Sequence, residues 1–139
     1  MPTLIESLAQ ALQKTATPGL RVQHHATEML VSMATTKSRS QTVKVSLTKN
    51  VRGDIPLLRM ISRAFIANDH RWIRFALEAN AGPELGSLAL DTSVVPPVVN
   101  VVYNIPATGV ELPEFMAALT SVARYADQLE QRFLSNDRF

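Results

Sequence analysis

The chain has 139 residues, of which 46% are hydrophobic and 19% are charged, a composition typical of one folded domain and not of a disordered chain. It has no cysteine, which excludes disulfides, thiolate metal sites and a cysteine nucleophile. The net charge is only +2, but residues 21–74 hold ten Lys and Arg against three acidic residues. This segregation indicates either attraction to an acidic partner or nucleic acid, or a solvated sheet face that resists aggregation.

The first segment predicts an amphipathic helix. Thr3 and Glu6 have the spacing of a capping box, and apolar residues follow on one helical face from Leu4 to Thr15. Pro18 and Gly19 should end the helix, because proline lacks the N–H that a helix needs. The segment carries an acidic residue and spaced apolar positions, so we expect neither a signal peptide nor a membrane span. A cytoplasmic location is the expectation.

The next segment predicts an antiparallel hairpin. Glu28–Thr35 forms its first strand, which residues 21–25 are expected to begin, and a polar turn over 36–40 leads to the second. Alternation in the second strand places three apolar residues on its core face, namely Val43, Val45 and Leu47. The tripeptide Arg52-Gly53-Asp54 predicts a tight turn, with the glycine at positive φ.

A third strand is predicted over Pro56–Ile66, followed by a helix that Asn68 or Asp69 caps and Ala81-Gly82-Pro83 ends. The predicted buried side of that helix consists of Trp72, Ile73, Ala76 and Leu77.

Two further strands are predicted over Gly86–Asp91 and Val98–Ile105, with a turn at Pro96 and Pro97 between them. In the second of these strands, alternation gives a more apolar face that we assign to the core, made of Val99, Val101, Tyr103 and Ile105.

The last segment, Pro113 to Leu134, predicts a long amphipathic helix with three outward polar residues, Arg124, Gln128 and Arg132. Its apolar stripe consists of Phe115, Leu119, Val122, Ala126, Leu129 and Phe133. The sequence therefore predicts a single α+β domain over residues 1–139. The order is helix, three strands, helix, two strands, helix, and the long C-terminal helix covers a five-stranded antiparallel sheet.

Three stretches of this pattern resemble the YbjN family, which is related in fold to the type III secretion chaperones. They are Leu58 to Phe65 with Ser62 inside it, Ala76 to Asn80 followed by Gly86 to Asp91, and Val122 to Asp127 with its alanine-aspartate pair. The resemblance implies a small, often dimeric domain that binds peptide segments or partner proteins on its sheet and helix surfaces. It implies no reaction chemistry.

No motif in the chain predicts catalysis, a cofactor or a metal site. Nucleophile-elbow, phosphate-loop and dinucleotide signatures are missing among its five glycines. His24 and His25 with Glu28 are a weak metal candidate, because adjacent residues on a strand point to opposite faces. We expect no catalytic residue, no cofactor and no metal ligand.

The candidate binding residues are basic or aromatic. Arg59 and Arg63 share a strand face, whereas Arg71 and Arg74 lie three apart on the next helix beside Trp72. If the two faces converge, they form a basic patch that binds nucleic-acid phosphates or an acidic peptide. Alternatively the arginines are structural, with their stems covering apolar surface.

The favoured hypothesis is a non-enzymatic protein- or peptide-binding adaptor with chaperone-like character. We expect a homodimer that uses a strand edge or sheet face for its protein partner and does not bind membranes. The alternative is nucleic-acid binding through the basic region 37–74, although one tryptophan and two tyrosines offer few stacking platforms. A third hypothesis is an enzyme whose catalytic residues are distant in sequence and assemble only in the fold.

Overall fold

The computed structural model describes residues 1–36 and 38–136. Within them the chain forms three helices and six strands. In chain order these are α1 (Leu4–Lys14), β1 (Arg21–His24), β2 (Glu28–Ala34), β3 (Ser40–Lys49), β4 (Pro56–Ile66), α2 (Trp72–Asn80), β5 (Ser87–Asp91), β6 (Val98–Pro106) and α3 (Leu112–Asn136).

The six strands form one antiparallel sheet in the order β1-β2-β3-β4-β6-β5. The predicted α+β class, with a long C-terminal helix packed on an antiparallel sheet, is confirmed. The sheet has six strands and not five, because Arg21–His24 makes a strand of its own. A short turn then lets His25 N–H donate to the Glu28 carbonyl at 3.0 Å, and β1 pairs with β2.

The predicted hairpin of β2 and β3 is confirmed, with Val31 opposite Val43. Lys37, which belongs to the predicted turn between these strands, lies outside the described residues. The predicted turn at Gly53 is also confirmed, since its φ is +77° and its N–H donates to the Asn50 carbonyl at 2.9 Å.

Helix α1 begins with the predicted capping box. The Glu6 N–H donates to the Thr3 hydroxyl at 3.1 Å, and the Thr3 N–H donates to the Glu6 carboxylate at 2.8 Å. Each side chain therefore satisfies a backbone donor that the helix leaves free. The apolar side of α1 is buried against β1, β2 and β3 through Ile5, Leu8 and Leu12.

Helix α3 supplies most of the helical core. All six residues of its predicted stripe are buried, and the helix contacts β3, β4 and β6. The three polar residues predicted to face outward are exposed. One of them also contacts aromatic rings, since the Arg132 guanidinium lies 4.8 Å from the centre of the Phe75 ring.

All three helices pack on one face of the sheet. The core joins residues of α1, α2 and α3 to alternate residues of the strands, such as Val43 and Val45 on β3 and Leu58 and Met60 on β4. The residues between them point the other way, where no described helix packs. We call this second surface the helix-free face.

The predicted burial is wrong for three apolar residues, two on α2 and one on β3. On α2 only Ala76 is fully buried, while Ile73 and Leu77 are 49% and 67% exposed. The helix lies at the edge of the helical layer against β5, so only a narrow side of the helix contacts the sheet. Leu47 is 49% exposed, since burial along β3 ends at Val45.

The start of α2 also differs from the prediction. Neither Asn68 nor Asp69 is its N-cap, since the helix begins at Trp72 and its N-cap Arg71 makes no side-chain capping bond. Asp69 lies before the N-cap, and its carboxylate accepts a hydrogen bond from the Arg71 N–H at 2.9 Å.

Among residues 1–36 and 38–136, no helix has the combination of length and apolarity needed to cross a bilayer.

The packing of α3 gives a stability prediction. Leu119→Ala removes a fully buried side chain at the centre of the stripe and should lower the free energy of unfolding by about 2–5 kcal/mol. Gln128→Ala on the exposed side of the same helix should change it by less than about 0.5 kcal/mol. Urea denaturation followed by circular dichroism measures both, and equal effects would contradict the packing described.

Candidate functional site

The five predicted binding residues lie on two different surfaces. Arg59 and Arg63 project from β4 on the helix-free face, in line with Ser46 and Asn100 of the neighbouring strands. Both side chains are exposed, and neither forms an ion pair with another residue that the structure describes. Their positive charges are therefore available to an external partner.

Arg71, Trp72 and Arg74 lie on or beside α2, which packs on the opposite side of the sheet. Trp72 is half-buried against the core. Arg71 pairs with Asp69 at 2.6 Å, and Arg74 pairs with Glu78 at 2.8 Å. The structure thus brings Arg59 together with Arg63 but does not join them to the arginines of α2 in one patch.

The pair of Arg71 with Asp69 at the start of α2 changes the pKa of the Asp69 carboxyl. Hydrogen bonds from the Arg71 side chain and then its N–H lower the pKa of Asp69 from 3.8 to about 2. The Asp69 carboxylate therefore stays ionised through the physiological range and neutralises the neighbouring guanidinium.

Cationic and apolar residues alternate along β4 on the helix-free face. Along β4, Ile61 lies between Arg59 and Arg63, and all three point the same way. Ile61 is flanked across the sheet by Lys44 and Val102, so the apolar row has a cation beside it. An extended chain on this surface meets positive charge, apolar surface and positive charge in turn.

Two acidic residues also belong to the helix-free face. The Glu28 carboxylate lies 3.3 Å from the Lys44 ammonium. Asp91 accepts hydrogen bonds from the Ser93 hydroxyl and N–H, which hold its pKa below the usual range. Against them stand Arg21, Lys44, Arg59 and Arg63, so the face is net positive.

A cleft opens at one end of the central strand pair. The ladder between β3 and β4 stops at Lys44 and Ile61, and a β-bulge follows between Arg63 and Phe65. Beyond that point the two strands border a cleft of about 550 Å³, which we call the wedge cleft. Its lining consists of Ser40, Gln41, Thr42, Arg63, Ala64, Phe65, Ile66, Asn68, Glu130 and Phe133.

A buried polar network forms the inner wall of the wedge cleft. The Ser62 hydroxyl, whose residue is 1% exposed, lies 2.9 Å from the Thr42 carbonyl and 3.1 Å from the Gln41 amide oxygen. The Gln41 amide nitrogen donates to the Glu130 carboxylate. Ser62 thus ties β4 to β3 where the backbone ladder has stopped.

The same network reaches α3 through an ion pair. The Arg39 Nε lies 2.8 Å from the Asp127 carboxylate, which is 4% exposed, and a second Arg39 nitrogen lies 3.7 Å from Glu130. A buried carboxylate needs such a partner, because desolvation otherwise penalises its charge. The contact fixes the end of α3 against the start of β3.

Sequence reasoning missed this network, although two of its members lie in the segments that carry the family resemblance. Ser62 and Asp127 each interrupt an apolar stretch, which was the available signal. Asn80, in another of those segments, donates to the Leu88 carbonyl and accepts from its N–H at 3.2 and 2.7 Å. These polar residues make specific bonds and are not generic packing positions.

The histidine pair lies at the opposite end of the sheet. His24 pairs with Met29 in the β1–β2 ladder, and His25 follows in the turn. In the part of the chain that the structure describes, no group of three or more His, Asp or Glu residues is placed to hold a metal ion.

The buried ion pair gives a second prediction. Asp127→Ala leaves the half-buried Arg39 without its closest partner and should cost about 1–3 kcal/mol of unfolding free energy. Glu78→Ala, which removes the exposed partner of Arg74, is the matched control and should cost less than about 1 kcal/mol. A double-mutant cycle with Arg39→Ala measures the coupling, and a coupling near zero would show that the network does not stabilise the fold.

The chain matches no protein-family model, and no curated protein matches it in sequence.

Proposed function

We propose that this protein is a non-enzymatic, cytoplasmic adaptor with chaperone-like character that binds acidic protein segments on its helix-free face and acts as a homodimer. The observation that carries the proposal is the arrangement of Arg59, Ile61 and Arg63 on a sheet face that no described helix covers. Guanidinium groups bind carboxylates through paired hydrogen bonds, and an apolar residue between them adds contact area.

The spacing on β4 favours an extended segment. Arg59 and Arg63 are four residues apart, or about 13 Å at 3.3 Å per residue. An extended partner repeats its side chains with the same period of two, so it can present an acidic, an apolar and an acidic residue at alternate positions. In an α-helix, a separation of about 13 Å corresponds to nine residues, which point to opposite sides of the helix.

The resemblance to the YbjN family and to type III secretion chaperones supports the same proposal, because it implies a domain that binds segments on its sheet. We place the chain in that family as part of the proposal. The alternative partner is nucleic acid, whose phosphates also suit arginine. The strand residues that point to the helix-free face include no aromatic side chain for base stacking, and this favours a protein segment.

A peptide titration tests the segment proposal. A labelled peptide with glutamate, leucine and glutamate at alternate positions should bind, and a peptide of the same composition with adjacent glutamates should bind more weakly. Arg59→Gln and Arg63→Gln should each weaken binding about 1.4- to fivefold, since exposed charge pairs are worth about 0.2–1 kcal/mol. Rising salt should weaken it further. Fluorescence anisotropy measures the affinities.

The control for this titration is Arg124→Gln, an exposed arginine on the outer side of α3, which should leave the affinity unchanged. Tighter binding of mixed RNA, with the same dependence on Arg59 and Arg63, would replace the protein partner by nucleic acid. If neither peptide nor RNA binds at low salt, both functions fail.

The homodimer contact in this proposal is the outer side of α2 beside the edge strand β5. Ile73 and Leu77 are one helical turn apart and exposed there. The adjacent charges are paired within the chain, as Arg71 with Asp69 and Arg74 with Glu78, so two copies meet without net repulsion. A two-fold contact requires such a self-complementary surface. The net positive helix-free face, in contrast, repels its own copy.

Leu77→Glu tests this contact. The wild-type chain should sediment as a dimer, and the variant should sediment as a monomer, because the substitution buries two like charges across the two-fold axis. Val51→Glu, an exposed apolar residue in the turn between β3 and β4, is the control and should remain dimeric. A monomeric wild-type chain, or a dimeric Leu77→Glu variant, contradicts the contact.

A further inference from the structure

We infer that the wedge cleft is a second binding site, which borders the helix-free face and shares Arg63 with it, and which takes a small carboxylic acid with an aromatic or aliphatic body. Its volume of about 550 Å³ lies within the range of ligand sites, about 300–1,000 Å³. Its lining also combines an apolar floor with a few polar groups, as such sites do.

The floor of the cleft is aromatic. The rings of Phe65 and Phe133 are 4.1 Å apart between centroids and tilted by 44°. Phe75 packs edge-on against Phe133 at 5.2 Å from behind, which holds that ring in place. Phe65 and Phe133 are 7% and 8% exposed, so a flat or linear apolar body of one ring or several methylenes that rests on this floor removes mainly its own apolar surface from water.

The charges at the rim select an anion. Glu130 is the only acid among the lining residues, and it is already engaged by Gln41 and by Arg39. Arg63 has no ion-pair partner among the residues that the structure describes, so the lining has an uncompensated cation. A carboxylate can accept two parallel hydrogen bonds from a guanidinium. Asn68 also lines the cleft, and its side-chain amide is a type of group that donates hydrogen bonds to carboxylates.

The inner wall is preorganised. The Gln41 amide is held at both ends, by Ser62 and by Glu130, and the Asp127–Arg39 pair anchors the adjoining chain to α3. A wall held by a satisfied polar network keeps its shape without a ligand, so binding costs little ordering entropy. The bulge between Arg63 and Phe65 fits the same interpretation, because bulges often redirect a side chain beside a binding site.

The test is a titration of the full chain followed by ¹H–¹⁵N NMR. 3-Phenylpropionate and octanoate should give saturable shifts at the residues that line the cleft. The neutral 3-phenylpropanamide and the cationic 3-phenylpropylamine have similar bodies and should bind at least about tenfold more weakly, since a charged hydrogen bond is lost. If either bound as well as the acid, the carboxylate selection would be wrong.

Variants assign the binding to the cleft. Arg63→Gln should weaken 3-phenylpropionate at least about tenfold, whereas Arg63→Lys keeps the charge and should weaken it less. Ser40→Trp fills the rim from an exposed position and should abolish the shifts. The inference is overturned if no acid saturates the shifts, or if binding survives both Arg63→Gln and Ser40→Trp.

Arg59→Gln separates this inference from the adaptor proposal. Arg59 does not line the cleft, so its loss should weaken the acidic peptide but leave 3-phenylpropionate unchanged within twofold. Because both ligands use Arg63, the peptide and the small acid should compete. If Arg59→Gln weakens both ligands alike, the cleft serves the partner segment and the second site is refuted. Failure of the peptide titration leaves the small-acid result intact.

Discussion

The packing of α3 against β3, β4 and β6 is the contact on which the other features depend. Its stripe from Phe115 to Phe133 is long enough to cover the centre of the sheet, while α1 covers one end and α2 the other. All three helices therefore pack on the same face of the sheet. The second face is in contact with water, so it has to carry polar side chains. The alternation of Arg59, Ile61 and Arg63 follows from that requirement.

The buried polar network has a different role. It specifies how α3 lies on β3 and β4 more than it adds to the stability of the fold. The ion pair of Asp127 with Arg39 forms in one register of α3 on the sheet, so it specifies that register. Gln41 and Ser62 carry the same constraint to the gap between the central strands. Apolar packing would tolerate small shifts of the helix, whereas this chain of bonds does not.

Local periodicity predicted the elements that depend only on residues close together in the sequence. The capping box of α1, the hairpin of β2 and β3, and the stripe of α3 follow from spacing alone, and all are confirmed. The prediction failed for Leu47 and Leu77, because burial there depends on how far a separate helix extends. The pairing of Arg39 with Asp127 joins residues 88 positions apart, which no local pattern encodes.

The shortened ladder between β3 and β4 divides the sheet into two halves. On one side lie β1, β2 and β3, and on the other lie β4, β6 and β5. Only the pairs from Lys44–Ile61 to Lys49–Pro56 join them, and beyond those pairs the join passes through the Ser62 side chain. β4 pairs with β6 as far as Ile66 but with β3 only as far as Ile61, so the sheet opens between its two central strands at one end while it stays continuous at the other.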